Sequence, residues 1–434
     1  MKRTLSFGLA VLLLGSLASA LWAAEEAGPT YRTRLTEHGS GIAGTLPPAD
    51  YGRGVLEELP ALASDPSQLW QMDLRGCDLS QLDLTAKLAE LQRADFDSKT
   101  VWPSALPAGF DPAAIVDTGK NPDLGVRALH AEGITGKGIG IAILDQGLLV
   151  DHVEYSDRLR LYEEIHCLDW AAQMHGPAVA SLAVGKTVGV APDADLYYIA
   201  ETHAKDNLGS FEGRSFAEIV DFTVTATSID RILEINRSLP EERKIRVISI
   251  SVEWTPQHAG YNDVMAAVAR ATQEGVFVLS VALRETHGLE FMGLDRDPLG
   301  DPEAVASYAL SSAARQFLAM RQGSPILLVP MDARATASPT GAEDYVFYPQ
   351  GGISWTVPYL AGLYALACQV KPDVTPEEFW AAALATGDAL ESTAAPPSRE
   401  EAEARVTETM GTNALQECRI VNPPRLIDSL RSGK

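Results

Sequence analysis

Three short stretches carry residues that could do nucleophilic chemistry. The first is Gly351-Gly352-Ile353-Ser354-Trp355-Thr356-Val357-Pro358, which leads into the apolar, alanine-rich run Tyr359 to Cys368. Two glycines let the backbone turn, and Pro358 is tolerated early in a helix, where N–H groups lack intrahelical partners. A serine there sits in the positive end of the helix dipole, which favours an alkoxide or an oxyanion. A simple capping serine would look the same. The second stretch, Gly138-Ile139-Gly140-Ile141-Ala142-Ile143-Leu144-Asp145-Gln146-Gly147, is a continuous apolar run that stops at an aspartate. Such a run reads as a buried parallel strand delivering a carboxylate at its C-terminal end, the edge where open α/β sheets bind ligands. The third, Met174-His175-Gly176-Pro177-Ala178-Val179-Ala180, places a histidine at the head of another small-residue helix. Each is ordinary alone, but the order Asp145, His175, Ser354 matches one known arrangement of a nucleophilic triad.

The elements that must position these groups follow from the apolar pattern. Runs at Ile139 to Leu144, Leu196 to Ala200, Ile245 to Ser251, Val276 to Ala282 and Ile326 to Val329 read as parallel strands. Helical patterns near Ala178 to Val184, Ala217 to Asn236 and Asn262 to Glu274 lie between them. The alternation predicts a doubly wound α/β sheet with right-handed crossovers. Asp123 to His130 reads as a short helix ahead of the first catalytic strand, and Thr375-Pro376-Glu377-Glu378 as a capped helix start.

The same stretches, with those between them, resemble the subtilisin-like serine peptidases. The family's D-[ST]-G appears as Asp145-Gln146-Gly147, its H-G-T-x-V-A as His175-Gly176-Pro177-Ala178-Val179-Ala180, and its G-T-S-M-A-x-P as Gly352 to Pro358. Gly189-Val190-Ala191-Pro192-Asp193-Ala194-Asp195-Leu196-Tyr197 resembles G-V-A-P-x-A-x-L-Y, and Val247-Ile248-Ser249-Ile250-Ser251 resembles V-I-N-M-S. The likeness runs from about Asp123 to about Gly387. It implies a mostly parallel sheet of the subtilisin type, and peptide hydrolysis in which His175 takes the Ser354 proton while Asp145 fixes the imidazole tautomer.

Departures from the family pattern are as informative. Leu283 and Arg284 stand where the oxyanion-hole Gly and Asn are expected, so that donor is missing or replaced by Arg284. Ile353 replaces the threonine before the nucleophile. The peptide-pairing edge S-L-G-G corresponds to Ser251-Val252-Glu253-Trp254, which with Leu283 should narrow the substrate pocket. A calcium loop found in many relatives is shortened to Gly185-Lys186-Thr187-Val188, which implies no metal there.

The 434 residues allow more than one domain, and 46% hydrophobic content suffices for a large core. Lys2 and Arg3, the apolar run Leu9 to Leu14 and the small-residue site Ala18-Ser19-Ala20 read as a signal peptide over residues 1–24, with an apolar core too short for a membrane span. The mature chain is therefore expected outside the cytoplasm, without membrane insertion. A net charge of −23 argues against nucleic acid as a partner. Cys77, Cys167, Cys368 and Cys418 fit no metal spacing, and Cys368 falls in an apolar helix as a buried thiol. No cofactor is implied.

Residues 25–122 differ in character. Glu25 to about Pro66 reads as a mobile lead-in. Asp73-Leu74, Asp78-Leu79 and Asp83-Leu84 recur every five residues, with Asp95-Phe96 as an echo. The period suits one face of a pentapeptide-type β-helix, one turn of a leucine-rich repeat, or an irregular packing segment. Thr100 to Pro112 is a Pro- and Gly-containing linker whose aromatics suggest docking. In the related proteins an inhibitory pro-segment normally occupies this position. Beyond the catalytic domain, residues 123–390, lies an extension, 391–434, in which Ser392 to Ala404 reads as a solvated excursion. The expected function is an exported serine endopeptidase of narrow specificity acting on a protein or peptide; the alternative is an impaired pseudoprotease serving as a binding scaffold.

Overall fold

The computed structural model describes residues 31–36, 39–42, 46–61, 72–205, 216–310, 314–315, 318, 325–390 and 418–433. The signal stretch and the excursion Ser392 to Ala404 lie outside the described residues.

The apolar runs become strands of a seven-stranded sheet. In spatial order these are Phe277–Ser280, Ile245–Ile250, Gly140–Asp145, Asp195–Ala200, Leu159–Ile165, Tyr31–Thr36 and Gly39–Ile42. All neighbours pair in parallel except the last edge strand. Every residue of Gly140–Asp145 and Asp195–Ala200 is buried, and for that reason they read as unbroken apolar runs rather than alternations. The chain builds from Gly140–Asp145 toward one edge, then returns to the other with Ile245–Ile250 and Phe277–Ser280. The order therefore reverses between Gly140–Asp145 and Ile245–Ile250, and a ligand crevice belongs at the C-terminal ends of those two strands.

Three expectations need correction. Leu159–Ile165 is a strand that an apolar-run criterion misses, because Glu163 interrupts the run. The buried Glu163 carboxylate receives a bidentate pair from Arg231 Nε and Nη2 at 2.9 and 2.8 Å, so its charge is compensated. The lead-in is not mobile throughout: Tyr31–Thr36 extends the main sheet, and Leu46 is buried against Gly147. Finally, Ile326–Pro330 belongs to a separate five-stranded sheet, ordered Tyr308–Leu310, Phe291–Arg296, Ile326–Pro330, Cys418–Ile420 and Asp388–Ala389.

Between the two sheets lies the helix Thr356–Val370, packed on Ile245–Ile250 and on Ile326–Pro330. Its residues Thr356 to Cys368 are all buried. The span Ile353–Val370 is long and apolar enough to cross a membrane, but 78% of it is buried inside the fold as a core helix. Thr375 caps the helix Pro376–Thr386 in a reciprocal box with Glu378. None of the four cysteines forms a disulfide, and burial pushes the Cys368 thiol up to about 11.

The Asp-Leu repeat belongs to a short solenoid turn stacked on its neighbours in sequence. Parallel pairing sets Gly54 beside Cys77, Met72 beside Ala94 and Asp78 beside Val101. The offsets are 23, 22 and 23 residues (77 − 54, 94 − 72, 101 − 78), within the leucine-rich period of about 20–29. Leu74, Leu79, Leu84 and Phe96 point into one small core that also takes in Ala333, Ala335 and Phe347. Trp102 and Phe110 of the linker pack edge-on against Phe96 at 5.3 and 6.1 Å between centroids. A four-stranded sheet, Arg334–Ala337, Tyr345–Tyr348, Ala94–Asp97 and Met72–Asp73, joins the turn to the segment that precedes Ser354.

Candidate active site

Asp145 ends its strand at the point where the sheet order reverses, and its side chain is 3% exposed. It accepts the Gln146 N–H at 2.8 Å and faces His175, whose Nδ1 lies 2.7 Å from Oδ1 and 2.9 Å from Oδ2. His175 opens the helix His175–Val184, and the next residue must be glycine. A Cβ on Gly176 would lie 2.5 Å from both the Gln146 carbonyl oxygen and the Tyr198 hydroxyl oxygen. That absence of a side chain lets the histidine helix close on the aspartate turn, which Tyr198 Oη also ties down by donating to Gln146 O at 2.6 Å.

Ser354 sits in a 3-10 turn, Ile353–Trp355, that runs directly into the core helix. Its Oγ donates to the Ser251 carbonyl at 3.3 Å, and Ser251 Oγ donates back to the Ser354 carbonyl at 2.9 Å. Ser251 follows the strand Ile245–Ile250, so the turn is pinned across the crevice from Asp145. The histidine helix packs against the same turn. The three residues singled out in the sequence are thus brought to one end of the sheet.

The other expected site residues divide. Glu253 is exposed and Ser251 and Val252 are half-buried, so all three can meet a ligand. Trp254 and Leu283 cannot. Trp254 is fully buried against Phe222, at 5.8 Å between centroids, and Leu283 belongs to the main core. They fill the volume beneath the edge rather than line a pocket. Arg284 lies on the short helix Leu283–His287 with its Nε 3.1 Å from the buried Glu290 carboxylate and its side chain 62% exposed.

The structure adds residues that sequence reasoning missed. The Trp355 indole, 3% exposed, packs at a tilt against the His175 imidazole, at 5.4 Å between centroids and 51° between planes, and Tyr348 packs edge-on against Trp355 at 5.6 Å. A tryptophan where relatives carry methionine was the available signal. Beside Asp145, Glu201 donates its N–H to Asp145 O at 2.8 Å, while its carboxylate holds His203 Nδ1 at 2.6 Å. Burial alone would lower His203; Glu201 outweighs it and raises the imidazole above its ordinary range. Asp169 accepts the Gly147 N–H at 2.7 Å, and burial together with that carboxylate pushes the Cys167 thiol up to about 12.

The loop Gly185 to Gly189 that follows the histidine helix is organised by Glu154. The Thr187 and Val188 N–H groups donate to one carboxylate oxygen at 2.9 and 3.3 Å. The Thr187 and Tyr345 hydroxyls donate to the other at 2.6 and 2.5 Å. Among the described residues, no group of three or more His, Cys, Asp or Glu side chains is placed to hold a metal ion.

No protein-family model matches the chain. Over 280 residues it is 23% identical to the Subtilisin-like protease PopC of Myxococcus xanthus (strain DK1622). The match takes in 58% of this chain and 56% of that protein, so the chain spans little more than half of the relative's length. Among solved structures, the prenylagaramide maturation protease PagA is similar with a TM-score of 0.45 at 16% identity, over 70% of this chain and 98% of that one. The PatG macrocyclase domain is similar with a TM-score of 0.46 at 14% identity, over 71% and 96%. The chain is thus similar in sequence to a subtilisin-like protease over part of its length, and the ordered motifs sit on the doubly wound sheet which that resemblance implies.

Proposed function

We propose that the chain is a serine endopeptidase of narrow specificity in which Ser354, His175 and Asp145 form the triad. The observation that carries this reading is the Asp145–His175 pair at 2.7 and 2.9 Å, at the point where the sheet order reverses, with the histidine helix packed against the turn that carries Ser354. Ser354 Oγ, which donates to the Ser251 carbonyl in the free protein, turns to donate to His175 Nε2 and attacks the peptide carbonyl; His175 takes the proton, returns it to the leaving amine, and water then releases the acyl group. Asp145, bonded at Nδ1, fixes the tautomer and stabilises the imidazolium that forms. The Ser354 backbone N–H is a donor to the developing oxyanion, and the asparagine side chain that the family pattern supplies has no counterpart at Arg284, whose Nε faces Glu290. Lack of one side-chain donor costs on the order of 3 kcal/mol in the transition state, which makes turnover slow.

The substrate is a protein or peptide laid along Ser251, Val252 and Glu253, with the exposed Glu253 favouring a basic side chain nearby. Lys2, Arg3, the run Leu9 to Leu14 and the Ala18-Ser19-Ala20 site support work outside the cytoplasm, and a net charge of −23 supports a non-nucleic-acid partner.

A fluorophosphonate probe tests the assignment. Wild-type protein is expected to label, and Ser354→Ala and His175→Ala are expected not to. A folded wild type that stays unlabelled overturns it and points to a scaffold.

A further inference from the structure

A chain of contacts connects the solenoid turn to the catalytic histidine. Asp73 grips Arg75 with two hydrogen bonds, Nε to Oδ1 at 2.8 Å and Nη2 to Oδ2 at 2.6 Å. The guanidinium lies over the Tyr51 ring at 4.9 Å, and its Nη1 donates to Tyr348 Oη at 3.1 Å. Tyr348, 4% exposed, packs edge-on against Trp355, and Trp355 lies on His175. Each link is held on more than one side, so little slack exists between them. The indole is fixed from the opposite side too: a Cβ on Gly351 would fall 2.3 Å from Trp355 Cδ1 and 2.3 Å from the Met331 carbonyl oxygen. Gly351 is itself anchored by its N–H to Asp332 Oδ1 at 2.9 Å.

We propose that the solenoid turn is a permanent part of the catalytic apparatus, in which Arg75 holds Tyr348, Tyr348 holds the Trp355 indole, and the indole holds the His175 imidazole in its productive orientation. The inference rests on the triad reading above. It assigns no chemistry to Arg75, Tyr348 or Trp355, which are positioning residues. Asp145 constrains the imidazole at one edge only, and a ring bonded at a single nitrogen can still tilt. The tilted indole packed against the ring limits that freedom. A displacement of about 1 Å at a catalytic group can cost on the order of a hundredfold in rate. A pro-segment removed after folding would take this support away, so the turn stays with the mature enzyme.

The test compares the full-length wild type with Arg75→Met, Tyr348→Phe, Trp355→Phe and Trp355→Leu, using the fluorophosphonate probe at several concentrations. Arg75→Met and Trp355→Leu are expected to lower the maximal labelling rate by about ten- to a hundredfold with little change in half-saturation. Trp355→Phe, which keeps an aromatic face, is expected to recover much of the loss, and Tyr348→Phe to fall between. Maximal rates equal to wild type in folded Arg75→Met and Trp355→Leu overturn the inference. Wild-type protein that does not label sinks the triad reading instead. In that event the inference is judged from the imidazole 15N resonances of His175: a displacement in Arg75→Met supports the coupling, and coincident spectra overturn it.

Discussion

Glu154 gives the sharpest test of how the loop behind the histidine helix is held. Its carboxylate, in a residue 2% exposed, receives four donors: two backbone N–H groups on one oxygen and two hydroxyls on the other. In Glu154→Gln the amide keeps its oxygen toward the Thr187 and Val188 N–H groups, which cannot turn away. Its NH2 then faces Thr187 Oγ1 and Tyr345 Oη, which can rotate and accept. What is lost is mainly the charge assistance, about 2 kcal/mol over the site. In Glu154→Ala, two buried N–H groups lose their acceptor at about 1–3 kcal/mol each, and the side-chain volume is lost as well, for a total of about 4 kcal/mol or more. Urea unfolding should rank wild type above Gln and Gln above Ala, and the Thr187 and Val188 amides should exchange faster with deuterium in Ala than in Gln. Equal midpoints for Gln and Ala would refute the reasoning, because the rotating hydroxyls would then have made no difference.

Two other outcomes follow from groups near the site. Burial pushes the Asp95 carboxyl up to about 8, with Arg75 opposing and Asp73 adding to the rise. The folded state therefore binds a proton that the unfolded state has released, so this group's contribution to stability is full at low pH and declines as pH rises from about 4 toward 8; Asp95→Asn should remove that component from the pH dependence of melting temperature, and an unchanged slope would count against it. Gly351→Ala forces its Cβ into the Met331 carbonyl and the Trp355 ring, so overpacking should cost about 1–3 kcal/mol or more, and a wild-type urea midpoint would contradict the contact.

Most of the main sheet was legible because parallel strands buried on both faces are written as continuous apolar runs, Gly140–Asp145 and Ile245–Ile250 among them. The catalytic candidates were legible because an aspartate after a strand and a histidine and a serine at small-residue helix starts are local patterns. What stayed hidden depends on contacts distant in sequence. The burial of Glu163 makes sense only with Arg231, 68 residues away. Trp254 and Leu283 were assigned to a pocket because a bulky residue in place of glycine reads as an obstruction. Whether it obstructs depends on the direction of its side chain, and both point into the core. The role of Trp355 depends on Tyr348 and, through it, on Arg75, 273 residues from Tyr348. The five-residue repeat signalled a coil, but its length of 22 to 23 residues emerged only from strand register.

The pairing of Phe96 with Phe347 has a consequence for how the molecule forms. The solenoid turn is made well before the residues that close its core, Ala333, Ala335 and Phe347, which follow more than two hundred residues later. Closing so long a loop is entropically costly before any contact rewards it, so such contacts form late and slowly. The early segment must wait, with Leu74, Leu79 and Leu84 uncovered, until the hairpin beside the serine turn arrives. Assembly of the candidate site and burial of the solenoid core are then one event, and a chain shortened before Tyr345 should retain neither.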